Sequence, residues 1–297
     1  MRRRGRTGWV GAAFVAPFAV LFAATYLVPV GHAIQFSLFR TRSSGLGLAP
    51  PTTHFAWFAN YVDALQDPGY RDSLGRVVLI LLGFIPALIA LPVLMALLLD
   101  ATRGRLRSFF RTVYFLPYGV PGVIGSLVWA YLYTPGISPV VAALGHAGVH
   151  VNFLDSSTVL WSIVNVVTWE FAGYNMLIIY AALLAIPADV IEAARVDGAS
   201  ERQIAMRVKL PLVRPAIVLV GVFTAIGGFQ IFAEPLVLRT IAPAITANYT
   251  PNLSAYTEAF ANNNTNLAAA EAVLLAVLAF VLSFGLMRAT RQGAFVR

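Results

Sequence analysis

Leu74-Gly75-Arg76-Val77-Val78-Leu79-Ile80-Leu81-Leu82-Gly83-Phe84-Ile85-Pro86-Ala87-Leu88-Ile89-Ala90-Leu91-Pro92-Val93-Leu94-Met95-Ala96-Leu97-Leu98-Leu99 carries a single charged residue, Arg76. About 20 apolar residues in a helix cross a bilayer core about 30 Å thick, and a soluble core needs no run of this length. The run also lacks the alternation of an outer-membrane barrel strand, so it reads as a helix. Five further stretches match it, near Trp9–Phe39, Phe109–Tyr133, Val159–Ile186, Ala216–Leu238 and Leu267–Met287. The expectation is an all-α membrane protein whose six transmembrane helices lie within residues 9–290.

Composition agrees. The 297 residues are 59% hydrophobic and 11% charged, against roughly 25% charged in a soluble domain. Mean hydropathy is +0.75. A soluble enzyme is excluded as the default, and the absence of cysteine excludes disulfides and thiolate metal sites. The net charge of +8 would suit nucleic acid, but the basic residues, all arginine except Lys209, gather at the ends of apolar runs. No nucleic-acid partner is expected; membrane lipid is.

The first stretch follows Arg2, Arg3, Arg4 and Arg6 and runs nearly 30 residues. A cleavable signal has an apolar region of about 7–15, so this is read as an uncleaved first span. Sixteen basic residues fall in the N-terminus, the Asp100–Arg111 loop, the Pro187–Arg214 loop and the C-terminus; five (Arg40, Arg42, Arg71, Arg76 and Arg239) fall on the other side. The positive-inside rule therefore places residues 1–8, 187–214 and 291–297 in the cytoplasm, in a multi-pass protein of the bacterial cytoplasmic membrane with both termini inside. In the outer segments Pro50-Pro51 and Asp67-Pro68-Gly69 signal turns, and a short helix is expected around Ala255–Phe260.

The cytoplasmic loop after the fourth span is the most informative segment. Pro187, Asp189 and Glu192 suit a helix start. Gly198 allows a bend or C-cap. Ser200 with Gln203 forms a capping box for a second short helix, which Pro211 is expected to stop before the fifth span. The product is two short helices at a bend on the cytoplasmic side. The bland alternative is an amphipathic helix on the bilayer surface, but no Trp or Phe lies between Ala188 and Pro211.

Glu192-Ala193-Ala194-x-x-Asp197-Gly198-Ala199, with Leu210-Pro211 downstream, resembles the EAA loop of permease subunits in binding-protein-dependent ABC importers. The Asp-Gly-Ala form is similar to the carbohydrate branch, that of the maltose transporter's permeases. Val15-Ala16-Pro17-Phe18, Asn60-Tyr61 and Phe110-Arg111-x-x-Tyr114-Phe115-Leu116-Pro117 extend the likeness over most of the chain. Gln230-x-Phe232-x-Glu234-Pro235 and Asn248-Tyr249-Thr250-Pro251 look like oligosaccharide permeases, whereas Ile241-Ala242-Pro243 replaces the branch's frequent Gly-Gly-Pro. The resemblance implies a permease moving a sugar by alternating access, with this loop docked on a cytoplasmic ATPase. It implies a second related permease, two ATPase subunits and an extracytoplasmic solute-binding protein as partners. No cofactor would be bound by this chain; ATP and Mg would sit on the ATPase subunits.

Polar groups inside the spans mark the candidate path. Glu170 lies halfway along the fourth span among Asn165, Trp169, Tyr174 and Asn175, with Asn165/Trp169 on one face and Glu170/Tyr174 on another. Carboxylate, amide and aromatic face suit a sugar; an interhelical polar clamp uses the same chemistry. Phe229, Gln230 and Glu234 form a second group in the fifth span. Glu234, near its outer end, is read as solvated and Glu271 as interfacial.

The lone Lys209 sits between Val208 and Leu210, so no Walker A motif exists. No His-Glu-x-x-His or Gly-x-Ser-x-Gly occurs, and His146 and His150 are read as loop residues without metal. The rival is an ion-coupled secondary transporter, which should show inverted repeats and deep titratable pairs. An intramembrane enzyme is disfavoured by the missing motifs.

Overall fold

The structure is a computed structural model that describes residues 4–42, 52–102 and 104–294. The Pro50-Pro51 turn, Arg2, Arg3, Arg103 and Arg297 lie outside these residues. In chain order the elements begin with α1 (Arg4–Phe22), a π turn (Ala23–Leu27) and α2 (Val28–Ser37). Strands β1 (Phe39–Arg42) and β2 (Thr52–Phe55), α3 (Ala59–Gln66) and α4 (Pro68–Ala101) follow. Next come α5 (Arg105–Phe115), a 3₁₀ turn (Leu116–Gly119), α6 (Gly122–Tyr133), α7 (Pro139–His146) and α8 (Val159–Leu184). After α9 (Ala188–Val196) come α10 (Glu201–Gln203), a π turn (Ile204–Lys209), α11 (Leu210–Leu212) and α12 (Arg214–Phe229). The chain closes with α13 (Ala233–Leu238), α14 (Pro251–Phe260) and α15 (Thr265–Ala294).

The antiparallel pair β1–β2, with Phe39 opposite Phe55, is the one departure from helix among the described residues. Among the described residues five helices or joined helices are long and apolar enough to span: Gly11–Ser37, Pro68–Ala101, Val159–Leu184, Arg214–Leu238 and Thr265–Gly285. The expected third span, Phe109–Tyr133, is instead two pieces bent by 99° between Gly119 and Gly122. Pro117 opens the 3₁₀ turn and Pro121, with ψ 132°, is extended before α6. Two missing N–H groups so close together cannot continue one helix. α4, with 34 residues, is about 51 Å long and overreaches the bilayer core.

One compact unit comprises the described residues up to Arg71 and Ser254–Ala276. Its first span has no buried face; Phe14 and Phe18 are 83% and 70% exposed. An apolar helix exposed all round belongs in lipid or against another chain. Pro29 explains the π turn: its ring would strike the carbonyl of Thr25, and the wider turn, in which the Val28 N–H reaches Ala23, relieves it. Asn60, quoted above for the resemblance, is buried and fastens the span's end to α3. Its amide donates to the Ser37 and Phe39 carbonyls, both at 2.8 Å, and its oxygen accepts from Arg40 Nε at 3.0 Å. Tyr61 hydroxyl lies 2.5 Å from Ser37 Oγ. Glu271 is 2% exposed rather than interfacial, because the second turn of α15 packs inward, where its carbonyl accepts the Tyr70 hydroxyl at 2.7 Å.

The other unit comprises Asp72–Leu253 and the described residues from Val277 on. Its axis is α8, with Met176, Ile179, Tyr180 and Leu183 packed on Ala96 and Leu99 of α4 and on Val213 and Val220. Close approach is built in at Gly173, where a Cβ would lie 1.8 Å from the Tyr114 carbonyl oxygen. The helix expected around Ala255–Phe260 starts earlier, at Pro251, a residue suited to a first turn. His146 ends α7 rather than lying in a loop, since Gly148, with φ +78°, caps that helix after it; His150 lies beyond.

Candidate functional site

The bend forms as its residues dictate. Pro187, with ψ 139°, precedes α9, and Asp189 lies in the first turn. At the other end Gly198 has φ +79°, a region that costs an L-residue about 1–2 kcal/mol. Gly198 N–H donates to Arg195 O and Ala199 N–H to Ala194 O, both at 3.0 Å, which closes a Schellman cap. Ser200 and Gln203 form the full capping box: Ser200 N–H to Gln203 Oε1 at 2.7 Å, and Gln203 N–H to Ser200 Oγ at 3.3 Å. Arg195 Nε pairs with Glu201 at 2.9 Å across the bend, and this carboxylate raises the guanidinium pKa.

Pro211 does not stop the second helix. The helical run continues to Leu212, and the π turn before it absorbs the proline as at Pro29, with Leu210 N–H reaching Ala205. Lys209 Nζ meets Asp100 Oδ2 at 2.5 Å, tying the foot of the loop to the end of α4. Leu210 and Pro211 border a groove with Ile89, Ala90 and Val93 of α4, so they belong to this foot. Glu192, Ala193, Asp197 and Gly198 are exposed at the tip, with Ala194 and Ala199 half-buried. Val196 beside them is 87% exposed. The tip is thus a rigidly capped, small-residue surface.

Between α4, α6, α8, α12 and α13 lies a cavity of about 590 Å³. Of the expected path residues, Glu170, Tyr174, Asn175 and Gln230 line it. Asn165, Trp169 and Phe229 do not. Asn165 donates to the Tyr133 hydroxyl at 2.8 Å, and Trp169 packs edge-on against Trp129 at 5.9 Å. Phe229 is buried and borders a separate groove with Leu81 and Ile85. The reason is the helical period: Asn165 and Trp169 share a face turned from that of Glu170 and Tyr174. Asn175 also clamps, its amide donating to Thr224 Oγ1 at 3.2 Å and Leu88 O at 3.4 Å. Tyr174 stacks on Tyr118 at 4.6 Å between centroids.

Glu234, grouped with Phe229 and Gln230 in the sequence but read as solvated, belongs to the cavity. It is 6% exposed, not solvated, and lines the same cavity. The fifth span breaks after Phe229 and restarts at Ala233, which turns Glu234 inward. Glu followed by Pro is a first-turn signature, and that signal could have revealed the break. Phe171, Phe223 and Phe232 complete an aromatic wall. Glu170 rests against the start of α6, its Oε1 3.4 Å from where a Cβ on Gly122 would stand. Carboxylates and amides beside ring faces can hold a polyhydroxylated solute. In the loop Arg239–Asn266, Arg76 lies over the Tyr249 ring at 4.6 Å and donates to the Tyr249 carbonyl at 2.9 Å. Burial raises the Tyr249 phenol pKa, and Arg76 opposes the rise.

Several known proteins are similar to this chain. The chain is 28% identical to a probable ABC transporter permease of Pyrococcus horikoshii, over 90% of this chain and 93% of the relative. It is 30% identical to the trehalose transport system permease SugA of Mycobacterium tuberculosis, over 90% and 85%. It is 27% identical to the sn-glycerol-3-phosphate transport system permease UgpA of Salmonella typhimurium, over 94% and 92%. Its fold matches a chain of a bacterial ABC transporter involved in import of the acidic polysaccharide alginate, with a TM-score of 0.81 and 20% identity over 97% of this chain and 96% of that one. The family model of binding-protein-dependent transport system inner membrane components matches residues 64–293. The chain belongs to that family of ABC importer permeases.

Proposed function

We propose that the chain is one permease subunit of an ATP-driven importer that carries a sugar or oligosaccharide by alternating access, with the solute passing through the cavity at Glu170 and Gln230. Relatives named for trehalose and for sn-glycerol-3-phosphate support a small polyhydroxylated cargo. The observation that carries the mechanism is the capped, exposed bend at Gly198. Two short helices held at a fixed angle offer Ala193, Val196 and Asp197 to another protein, and small residues permit close approach. Lys209–Asp100 at its foot gives a push on the bend a route into α4.

In this reading the chain itself is non-catalytic. ATP and Mg belong to two cytoplasmic ATPase subunits, a second related permease completes the path, and an extracytoplasmic binding protein delivers the solute. Both termini face the cytoplasm in this reading, which the arginine distribution supports. Neither the family match nor the relatives favour the ion-coupled alternative. The assembled importer in proteoliposomes should accumulate one member of a panel of labelled trehalose, maltose, cellobiose and sn-glycerol-3-phosphate only with ATP on the ATPase side. Accumulation driven by an ion gradient without nucleotide would overturn the proposal.

A further inference from the structure

The cavity wall contributed by this chain is acidic. Glu170 and Glu234 line it, and no Arg, Lys or His does among the described residues. Neither carboxylate forms an ion pair with a described residue. Glu170 rests at the start of the 12-residue α6, the positive end of its dipole. Glu234 is 6% exposed and lines the same cavity. The remaining wall is largely aromatic and aliphatic, and low-dielectric walls focus a field into the space they enclose.

We propose that this cavity selects by charge: it admits neutral sugars and amino sugars and turns away anionic ones such as uronates and sugar phosphates. The proposal rests on the cavity's being the solute path, as above. It sets this chain apart in cargo from its relative named for sn-glycerol-3-phosphate. Glu170 and Glu234 are the specificity-determining residues, acting through the field they impose and through hydrogen bonds to hydroxyl and ammonium groups.

A test needs no knowledge of the cargo, because the natural chain has no cysteine. Gly227 lines the cavity, and a Cβ placed there has nothing within 4 Å; Phe223 lines it too and is 50% exposed. Gly227→Cys and Phe223→Cys, each in the assembled importer in membranes, would be reacted with methanethiosulfonates bearing an ethyltrimethylammonium, an ethylsulfonate or a methyl group. Rates are normalised to those with a free thiol. The cationic reagent should lead the anionic one by at least about tenfold, the lower end of electrostatic focusing. With Glu170→Gln and Glu234→Gln together the lead should fall towards unity, and with Glu170→Gln alone it should fall in part. Equal rates, an anionic preference or a lead that survives both substitutions would overturn the charge filter while leaving the path intact. Failure of the neutral reagent at both positions would instead show a closed cavity and sink the path, and the filter with it.

Discussion

Substitutions at Gly198 separate backbone conformation from bulk. Its φ is +79°, and a Cβ built there meets nothing within 4 Å. Any loss on substitution therefore comes from the left-handed backbone and not from a clash. For alanine this costs about 1–2 kcal/mol, and 1.4 kcal/mol is a factor of about ten in an equilibrium. The bent form of the loop should thus fall roughly 5–30-fold in Gly198→Ala if bent and unbent forms are close in free energy. Asparagine tolerates the left-handed region and should stay near the natural protein. Valine, β-branched, should lose more than alanine. The expected order of ATP-driven uptake in proteoliposomes of the assembled importer is Gly, then Asn, then Ala, then Val, at equal amounts of inserted protein. Asparagine is larger than alanine, so an order that follows side-chain volume would refute the backbone argument. Normal uptake by Gly198→Val would refute the role of the bend.

Four other outcomes follow from close contacts. Gly173→Ala should cost about 3 kcal/mol or more, because its Cβ would meet the Tyr114 carbonyl at 1.8 Å and backbone cannot step aside; a lowered thermal midpoint in detergent checks this. Gly228→Ala, whose Cβ would meet side-chain atoms alone, the end of Leu81 at 2.3 Å and the Phe84 ring at 3.2 Å, should cost less, about 1–2 kcal/mol, in the same assay. Lys209→Met should lower stability by about 1–3 kcal/mol by leaving the half-buried Asp100 without its partner, and adding Asp100→Asn should recover part of the loss in a double-mutant cycle. Asn60→Ala removes three hydrogen bonds and should cost about 2–4 kcal/mol, seen as faster proteolysis near α3.

The spans and the loop were legible because they rest on local rules. Unbroken apolar length marks a membrane helix, and Pro187, Gly198 and the Ser200/Gln203 box each act through their own backbone. Tertiary compensation was not legible. Pro29 and Pro211 both stand within helical runs because a π turn upstream makes room, and no residue type announces such a turn. The 99° break in the third span was signalled by Pro117 and Pro121, but its apolar length masked it. In the cavity, helical period correctly paired Glu170 with Tyr174 and Asn165 with Trp169. Which face looks into the cavity depends on helices far away in sequence, so Asn165, Trp169 and Phe229 fell outside it. Glu234 was read as solvated for the same reason: its burial depends on the break at Gln230–Phe232, not on its distance from the span's end.

The central claim, that the exposed bend receives a cytoplasmic ATPase, is tested most directly by cross-linking from Val196. That residue is 87% exposed at the tip, and in a chain without cysteine Val196→Cys supplies a unique thiol. A short thiol-directed photocross-linker on it, in membranes holding the assembled importer, should capture an ATPase subunit in high yield, and Gly198→Val should reduce that yield. Adducts with lipid alone, or an ATPase yield no higher than from Phe260→Cys, in the segment that the arginine distribution assigns to the outer side, would contradict the account.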